Sequence, residues 1–299
     1  MKTQITVKNQ NTEKLVKEYL YRLQRDKTEI TFKAYKYNLE TFIDWFKQAQ
    51  PKEPKEQMRE YRAYLQIKYT NPKTVNLHLS TVRQFYKYLL DEGVIDYDPT
   101  VTLKNIKTNN DRTKSAIDRY DLSKLIVYLN QSKALHSKRD RALILLAVSN
   151  GLRVNELANT NIEDIQDKDG DKVLFLLRKG YTDKSCYTIL APKTYHLLMD
   201  LIGDRTEGAI FQGRGGKALK RDSISRIIRE IFKKAGIKTP QISPHSLRHT
   251  FAMEALRSGC DIPSIAQAMN HKNISTTSTY LQSFNRHDKS PEKKIVINF

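Results

Sequence analysis

The sequence predicts a mainly α-helical protein with one small antiparallel β-sheet, organised as two domains. Apolar residues recur at helical spacing through most of the 299 residues. Residues 172–190 instead carry a strand–turn–strand pattern. The periodicity lapses from Asp98 to Ser115, in DPTVTLKNIKTNNDRTKS. This lapse predicts a linker at 99–115 between a helical domain at 10–98 and a larger domain at 116–299.

Four amphipathic helices are predicted in the first domain. Apolar stripes begin at Leu15 and Phe32, and a third lies within residues 61–69. The fourth helix starts near Asn71-Pro72, where asparagine can cap and proline suits the first turn, and it runs to Gly93. Cations and aromatic residues alternate in KAYKYN and RQFYKY, which suits contact with nucleic-acid backbones, although each such aromatic is more often a core residue.

The second domain is predicted to mix helices with a short sheet. Helices are expected near 118–130, up to Asn150-Gly151, and from about Arg153. Strands are expected at 172–178 and 185–190, around a turn that contains Gly180 and Asp183, with a third short strand at 209–212. Two more helices follow: RDSISRIIREIFKKAG, which has one isoleucine-rich face, and 244–258, which has Ser243 as N-cap, Pro244 at the first position and Gly259 at its end.

The charge of the chain favours a polyanionic partner. Lys+Arg number 52 against 33 Asp+Glu, a net charge of +19. Residues 1–110 hold 20 basic and 13 acidic side chains, and the remainder 32 and 20, so both halves are basic (+7 and +12). Double-stranded nucleic acid is the simplest partner of two basic domains. A membrane surface is the weaker alternative, because the longest apolar run is only 142–148 and no signal peptide is apparent. We expect a soluble, cytoplasmic protein.

The stretch SPHSLRHTFAMEALRSG places His245, Arg248 and His249 on one helix face. Around the helix axis, Arg248 lies about 60° to one side of His245 and His249 about 40° to the other. Near a helix N-terminus such a face is either a solvated polar surface or a phosphate site. The i,i+4 histidine spacing also occurs at zinc sites, but no acidic residue lies between these two. Cys186 and Cys260 are far apart and form no metal-ligand motif. No metal is therefore expected.

These residues are part of a longer ordered set. The segment GLRVNEL contributes Arg153 and Glu156, and the predicted turn contributes Lys179. His271 follows Arg248 by 23 residues in MNHKNISTTSTYL, and Tyr280 follows His271 by nine. The set resembles the tyrosine site-specific recombinase family, of the phage integrase and Xer type. The resemblance spans the chain and implies an N-terminal SAM-like core-binding domain followed by an α+β catalytic domain.

The resemblance also implies the site residues. Arg153 and Arg248 would hold the non-bridging oxygens of a DNA phosphodiester, whose charge rises when it is attacked. Tyr280 would be the nucleophile that forms a 3′-phosphotyrosyl bond. His245 and His271 would donate hydrogen bonds to the phosphate, with His245 also a candidate to receive the tyrosine proton.

The proton for the leaving 5′-oxygen would come from Lys179. The family turn commonly reads Lys-Gly-x-Lys-x-Arg, whereas KGYTDKSCY is longer and lacks the arginine, so Lys184 is the alternative general acid. Glu156 would orient the cations without touching DNA. His249 is expected to pack or bond inside the domain.

The resemblance implies a homotetramer on two paired DNA sites, possible accessory DNA-bending proteins, and no cofactor or metal. The apolar tail Ile295–Phe299 is expected to insert into an adjacent protomer. The β-branched segment ISTTSTY predicts a short, marginal helix that carries a mobile Tyr280.

Two alternative functions remain: a type IB topoisomerase-like enzyme and a non-catalytic DNA-binding protein.

Overall fold

The structure, a computed structural model, describes residues 10–50, 52–108, 116–178, 183–237 and 242–270. The chain divides into two compact units, Met1–Asp111 and Arg112–Phe299. Each unit has its own hydrophobic core. The two-domain, mainly helical prediction is therefore confirmed.

Four helices build the first unit, as their apolar stripes predicted. Their bounds are α1 Gln10–Asp26, α2 Glu29–Gln48, α3 Pro54–Lys68 and α4 Pro72–Asp91. Asn71 caps α4, because its Oδ1 accepts a hydrogen bond from Lys73 N at 3.0 Å and Pro72 occupies the first turn. The core of this unit fully buries Leu39, Tyr61 and Leu79.

The aromatic residues that alternate with cations mostly pack in this core. Phe85 and Tyr86 are buried, and Tyr35 and Tyr88 pack against the core partly buried. Tyr37 differs, since it is 55% exposed. Of these five aromatic residues, only Tyr37 is thus largely available to a partner.

Part of the segment predicted as a linker packs on the first unit. Leu103 is buried in its core. Asn76 Nδ2 donates to Ile106 O at 2.9 Å, and Ile106 N donates to Asn76 Oδ1 at 2.8 Å. Residues 103–106 are therefore anchored to the helices, while residues 109–115 lie outside the described residues.

Seven α-helices are described in the second unit. They are α5 Arg119–Gln131, α6 Ser137–Asn150, α7 Val154–Ala158, α8 Pro192–Ile202, α9 Arg221–Lys234, α10 Pro244–Arg257 and α11 Ile262–Ala268. The sequence patterns predicted all of these except α8 and α11. The apolar helix α6 lies at the centre, with Leu143, Leu146 and Ala147 buried, and it packs against α8 and α10. This packing brings the end of α6 beside α10.

The sheet has three antiparallel strands in the order β1-β2-β3: Ile165–Lys168, Asp171–Leu176 and Cys186–Ile189. The predicted hairpin is confirmed, with Leu174 opposite Thr188. The predicted third strand at 209–212 was wrong, since those residues form only isolated bridges. The third strand is β1, which joins β2 through Asp169-Gly170, both at positive φ (53° and 87°). An Asp-Gly pair is a strong hairpin signal that the sequence analysis did not use.

Candidate functional site

Five of the eight predicted functional residues lie in the described part of the chain. They are Arg153, Glu156, Lys184, His245 and Arg248. The other three, Lys179, His271 and Tyr280, lie outside the described residues. The predicted helix at ISTTSTY and the tail Ile295–Phe299 also lie outside them.

The end of α6 forms one wall of the site. The helix ends at Asn150, and Gly151 adopts a left-handed conformation with φ 62°. A Cβ on Gly151 would lie 2.5 Å from Phe251 Cδ1, closer than atoms can approach. Glycine is therefore required here for its φ and for its missing side chain. The resulting approach of α10 lets Arg248 Nη1 donate to Gly151 O at 2.6 Å.

Arg153 and Glu156 are linked at the start of α7. Arg153 is the N-cap, and Glu156 is three residues into the helix. The Glu156 carboxylate accepts from Arg153 N at 2.8 Å and from Arg153 Nη1 at 2.8 Å. Glu156 is 2% exposed, whereas the Arg153 side chain is 26% exposed. The carboxylate thus anchors a guanidinium that still reaches the surface.

Arg248 is buried, which the helical wheel did not indicate. Its residue is 3% exposed, whereas His245 is exposed and His249 half-buried. The interpretation of this face as merely a solvated polar surface is therefore wrong for Arg248. Arg248 Nη2 donates to Met269 O at the end of α11, and Nη1 lies 3.8 Å from Glu156 Oε2. A buried guanidinium is stable only with such partners.

The predicted N-terminus of α10 is confirmed. The helix begins at Pro244, with Ser243 as N-cap. Ser246 Oγ accepts from Ser243 N at 3.1 Å, and Ser246 N donates to Ser243 O at 2.7 Å. This cap fixes the start of α10 and therefore the positions in its first turns from which the His245 and Arg248 side chains project.

Arg178 is a member of the site that the sequence analysis missed. It is 2% exposed, and its Nη1 lies 3.5 Å from Glu156 Oε2. Burial lowers the pKa of Arg178, Glu156 opposes that shift, and Arg153 adds to it. Strand alternation could have identified this residue, because Arg178 continues the inward face of Leu174 and Leu176.

Three guanidiniums therefore surround one buried carboxylate. Among the residues that the structure describes, Arg153, Arg178 and Arg248 contribute three positive charges here and Glu156 one negative charge, so positive charge exceeds negative charge by two. Buried charge without full compensation is costly and favours an incoming anion. Arg153 supplies the partly exposed edge of this cluster, which can hold a phosphate.

Lys184 is bound elsewhere. Its Nζ donates to Asp164 Oδ2 at 2.5 Å. The same buried oxygen accepts from Asn161 N at 2.7 Å. The Lys184 ammonium thus binds the turn before β1, at Asp164, and this contact lies outside the arginine cluster.

Neither a metal site nor a membrane span emerges from the residues described. Within 10–50, 52–108, 116–178, 183–237 and 242–270, no three His, Cys, Asp or Glu side chains converge as a metal site would require. Across the same residues, no helix combines the length and the apolar character needed to span a bilayer. Cys186 and Cys260 are both free thiols, half-buried and exposed respectively.

Two protein-family models together match most of the chain. The model of the phage integrase family matches residues 116–287, more than half of the chain. The model of the phage integrase N-terminal SAM-like domain matches residues 16–93. A tyrosine recombinase XerC from Thermodesulfovibrio yellowstonii is 28% identical over 287 residues, which covers 90% of this chain and 92% of the relative.

Two solved structures have a similar fold. A lambda integrase dimer bound to a COC′ core site gives a TM-score of 0.71 at 16% identity, over 90% of this chain and 94% of that one. The XerH recombinase bound to palindromic difH substrate gives 0.68 at 20% identity, over 95% and 90%. With its SAM-like domain, its catalytic-domain match and its arginine cluster in one chain, this protein belongs to the phage integrase family of tyrosine recombinases.

Proposed function

We propose that this protein is a site-specific DNA recombinase that cuts and rejoins duplex strands through Tyr280. The observation that carries the proposal is the cluster of Arg153, Arg178 and Arg248 around the buried Glu156, within the unit that matches the integrase family. A fixed cluster with excess positive charge stabilises a phosphodiester more strongly as charge builds up on it during attack.

The reaction is a transesterification in two matching halves. The Tyr280 oxygen attacks phosphorus, the bond from phosphorus to the 5′-oxygen breaks, and a 3′-phosphotyrosyl bond forms. His245 accepts the tyrosine proton, and Lys179 protonates the leaving 5′-oxygen. A 5′-hydroxyl of the partner strand then reverses these steps, so the phosphate ester bond is conserved and rejoining needs no nucleotide cofactor.

Arg153 and Arg248 are proposed to bind the two non-bridging oxygens, and His245 and His271 to donate further hydrogen bonds. Each Nη nitrogen of Arg248 carries a second N–H group besides the one given to Gly151 O or Met269 O, and Arg248 would use these to reach the phosphate that Arg153 holds at the surface. Arginine suits this role because it stays charged and presents a fork of donors. Glu156 fixes Arg153 through two 2.8 Å hydrogen bonds, which supports its role as an orienting residue. Preorganised donors lower the barrier because they need no rearrangement during attack.

Lys179 is preferred to Lys184 as the general acid. The Lys184 ammonium is engaged by Asp164 at 2.5 Å, and Asp164 is buried and also caps a turn through Asn161 N. These contacts support a structural role for Lys184.

The proposed assembly is a homotetramer on two paired duplex sites in the cytoplasm, associated with the nucleoid. The lambda integrase dimer was solved on a core site and XerH in complex with a palindromic substrate, which supports a duplex DNA partner. The tail Ile295–Phe299 is proposed to insert into a neighbouring protomer, with accessory DNA-bending proteins as further partners.

Covalent trapping tests the chemistry. A duplex that the protein selects from a randomised pool is nicked at successive positions, so that one nick next to the cleavage point releases a short fragment. A covalent protein–DNA band is expected with the wild type and not with Tyr280→Phe. Tyr187→Phe, at an exposed tyrosine of the same unit, is the matched control. Absence of the band at every nick position contradicts the proposal.

Two further assays separate the alternatives. Strand exchange between two copies of the selected site is expected from a recombinase, whereas relaxation of any supercoiled plasmid without exchange indicates a topoisomerase.

Deletion of residues 295–299 is expected to weaken assembly on two-site DNA and spare single-site binding. Unchanged assembly contradicts the tail proposal alone.

A further inference from the structure

We propose that Arg178 is a positioning residue for DNA cleavage, which joins the end of β2 and the end of α11 to Glu156. This inference rests on the proposed recombinase function. Arg178 immediately precedes Lys179 in the chain, and Met269, which it contacts, lies two residues before His271. Arg178 is therefore tied to both segments that lead into proposed catalytic residues.

The hydrogen bonds of Arg178 reach two other parts of the second unit, the end of α11 and the start of α7. Nη2 donates to Ala268 O at 3.1 Å, and Nη1 lies 3.4 Å from Met269 O and 3.5 Å from Glu156 Oε2. The sequence separations are 90, 91 and 22 residues. A single planar side chain thus links the segment after β2 to the end of α11 and to α7, which are far apart along the chain.

Arg178 and Arg248 have two acceptors in common. Met269 O accepts from both guanidiniums, and both lie near Glu156 Oε2, at 3.5 and 3.8 Å. The position of Arg178 therefore bears directly on the position of Arg248. A shift of about 1 Å in a reacting group can reduce an enzymatic rate by about 100-fold.

A role in positioning differs from a role in stability alone. Arg205 provides the comparison, because it too makes three hydrogen bonds, in its case all to backbone carbonyls: Ile202 O at 3.2 Å, Ala209 O at 2.8 Å and Ile210 O at 3.3 Å. Its contacts stay within one loop of the second unit. Loss of Arg205 should therefore cost stability without moving the arginine cluster.

The experiment measures cleavage and binding separately. Wild type, Arg178→Met, Arg178→Lys and Arg205→Met are compared on the selected nicked duplex, for the rate of covalent complex formation at saturating DNA and for the DNA Kd. Each is also followed by thermal unfolding. We expect Arg178→Met to lower the cleavage rate on the order of 100-fold with Kd within about threefold of wild type. Arg178→Lys, which keeps the charge but not the fork, should recover part of the rate. Arg205→Met should cleave at close to the wild-type rate.

Several results would overturn the proposal. Wild-type cleavage by folded Arg178→Met refutes it, and so does an equal rate loss in Arg205→Met. If Arg178→Met does not fold, Arg178→Lys is judged by the same criteria. If neither folds, Arg178 is a stability determinant and the positioning role is wrong. Failure of the wild type to form any covalent complex instead refutes the recombinase proposal itself.

Discussion

Replacement of Gly151 by alanine should disturb both the fold and the arginine cluster. Gly151 has φ 62°, and an added Cβ would meet Phe251 Cδ1 at 2.5 Å and Cγ at 3.0 Å. Either the Phe251 ring or the Gly151 backbone must move by close to an ångström. Any part of this movement that the backbone takes up displaces Gly151 O, which accepts from Arg248 Nη1 at 2.6 Å. Gly151→Ala should therefore weaken cleavage as well as stability.

The expected loss has two separable parts. Alanine in a left-handed conformation costs about 1–2 kcal/mol. The overlap with Phe251 resembles overpacking of a core, which costs about 1–3 kcal/mol. Together the second unit should lose about 2–5 kcal/mol, and at about 2–4 °C per kcal/mol its Tm should fall by about 4–20 °C.

A double-mutant cycle separates these parts. Wild type, Gly151→Ala, Phe251→Ala and the double variant are compared by urea unfolding. Removal of the ring relieves the overlap but not the backbone strain, so the double variant should be more stable than additivity predicts by about 1–3 kcal/mol. Covalent trapping, well below each Tm, should show a reduced rate for Gly151→Ala. Strict additivity in the cycle refutes the proposed overlap.

Three other predictions follow from the same contacts. Glu156→Gln should destabilise the second unit by about 3–5 kcal/mol in urea unfolding, because buried guanidiniums lose their counter-charge; a loss below about 1 kcal/mol contradicts this account. Lys179→Met should lower covalent trapping at least about 100-fold, whereas Lys184→Met should stay within about threefold, since Lys184 is engaged by Asp164; the reverse order makes Lys184 the general acid. Burial, with a smaller effect of Lys68, lowers the pKa of His78 from 6.5 to about 4. Between pH 6.5 and 4 the unfolded chain binds a proton at His78 that the folded protein does not, so the free energy of unfolding is highest above pH 6.5 and falls by roughly 3 kcal/mol as the pH is lowered to 4. His78→Gln should flatten that pH dependence, and an unchanged slope counts against it.

The sequence predicted most of the helices because their signals are local. The stripes of the first unit, the Asn71 cap and the Ser243-Pro244 start of α10 each depend on residues within one or two turns. The strand at 209–212 was wrong because a short apolar run does not reveal whether a partner strand lies beside it. The polar β1 was missed although its Asp169-Gly170 turn was visible in the sequence.

The family and the order of its motifs could be read from the sequence by itself, because residue types and spacings are properties of the chain. Only the tertiary structure determined which groups meet. Arg248 donates to Gly151 O across 97 residues, and Arg178 lies against Met269 O across 91. Helical periodicity placed Arg248 on a face with His245, but packing of α6, α10 and α11 decided that its guanidinium is buried. The physical reason is that burial and hydrogen-bond partners depend on distant segments folding together, and no local pattern records those segments.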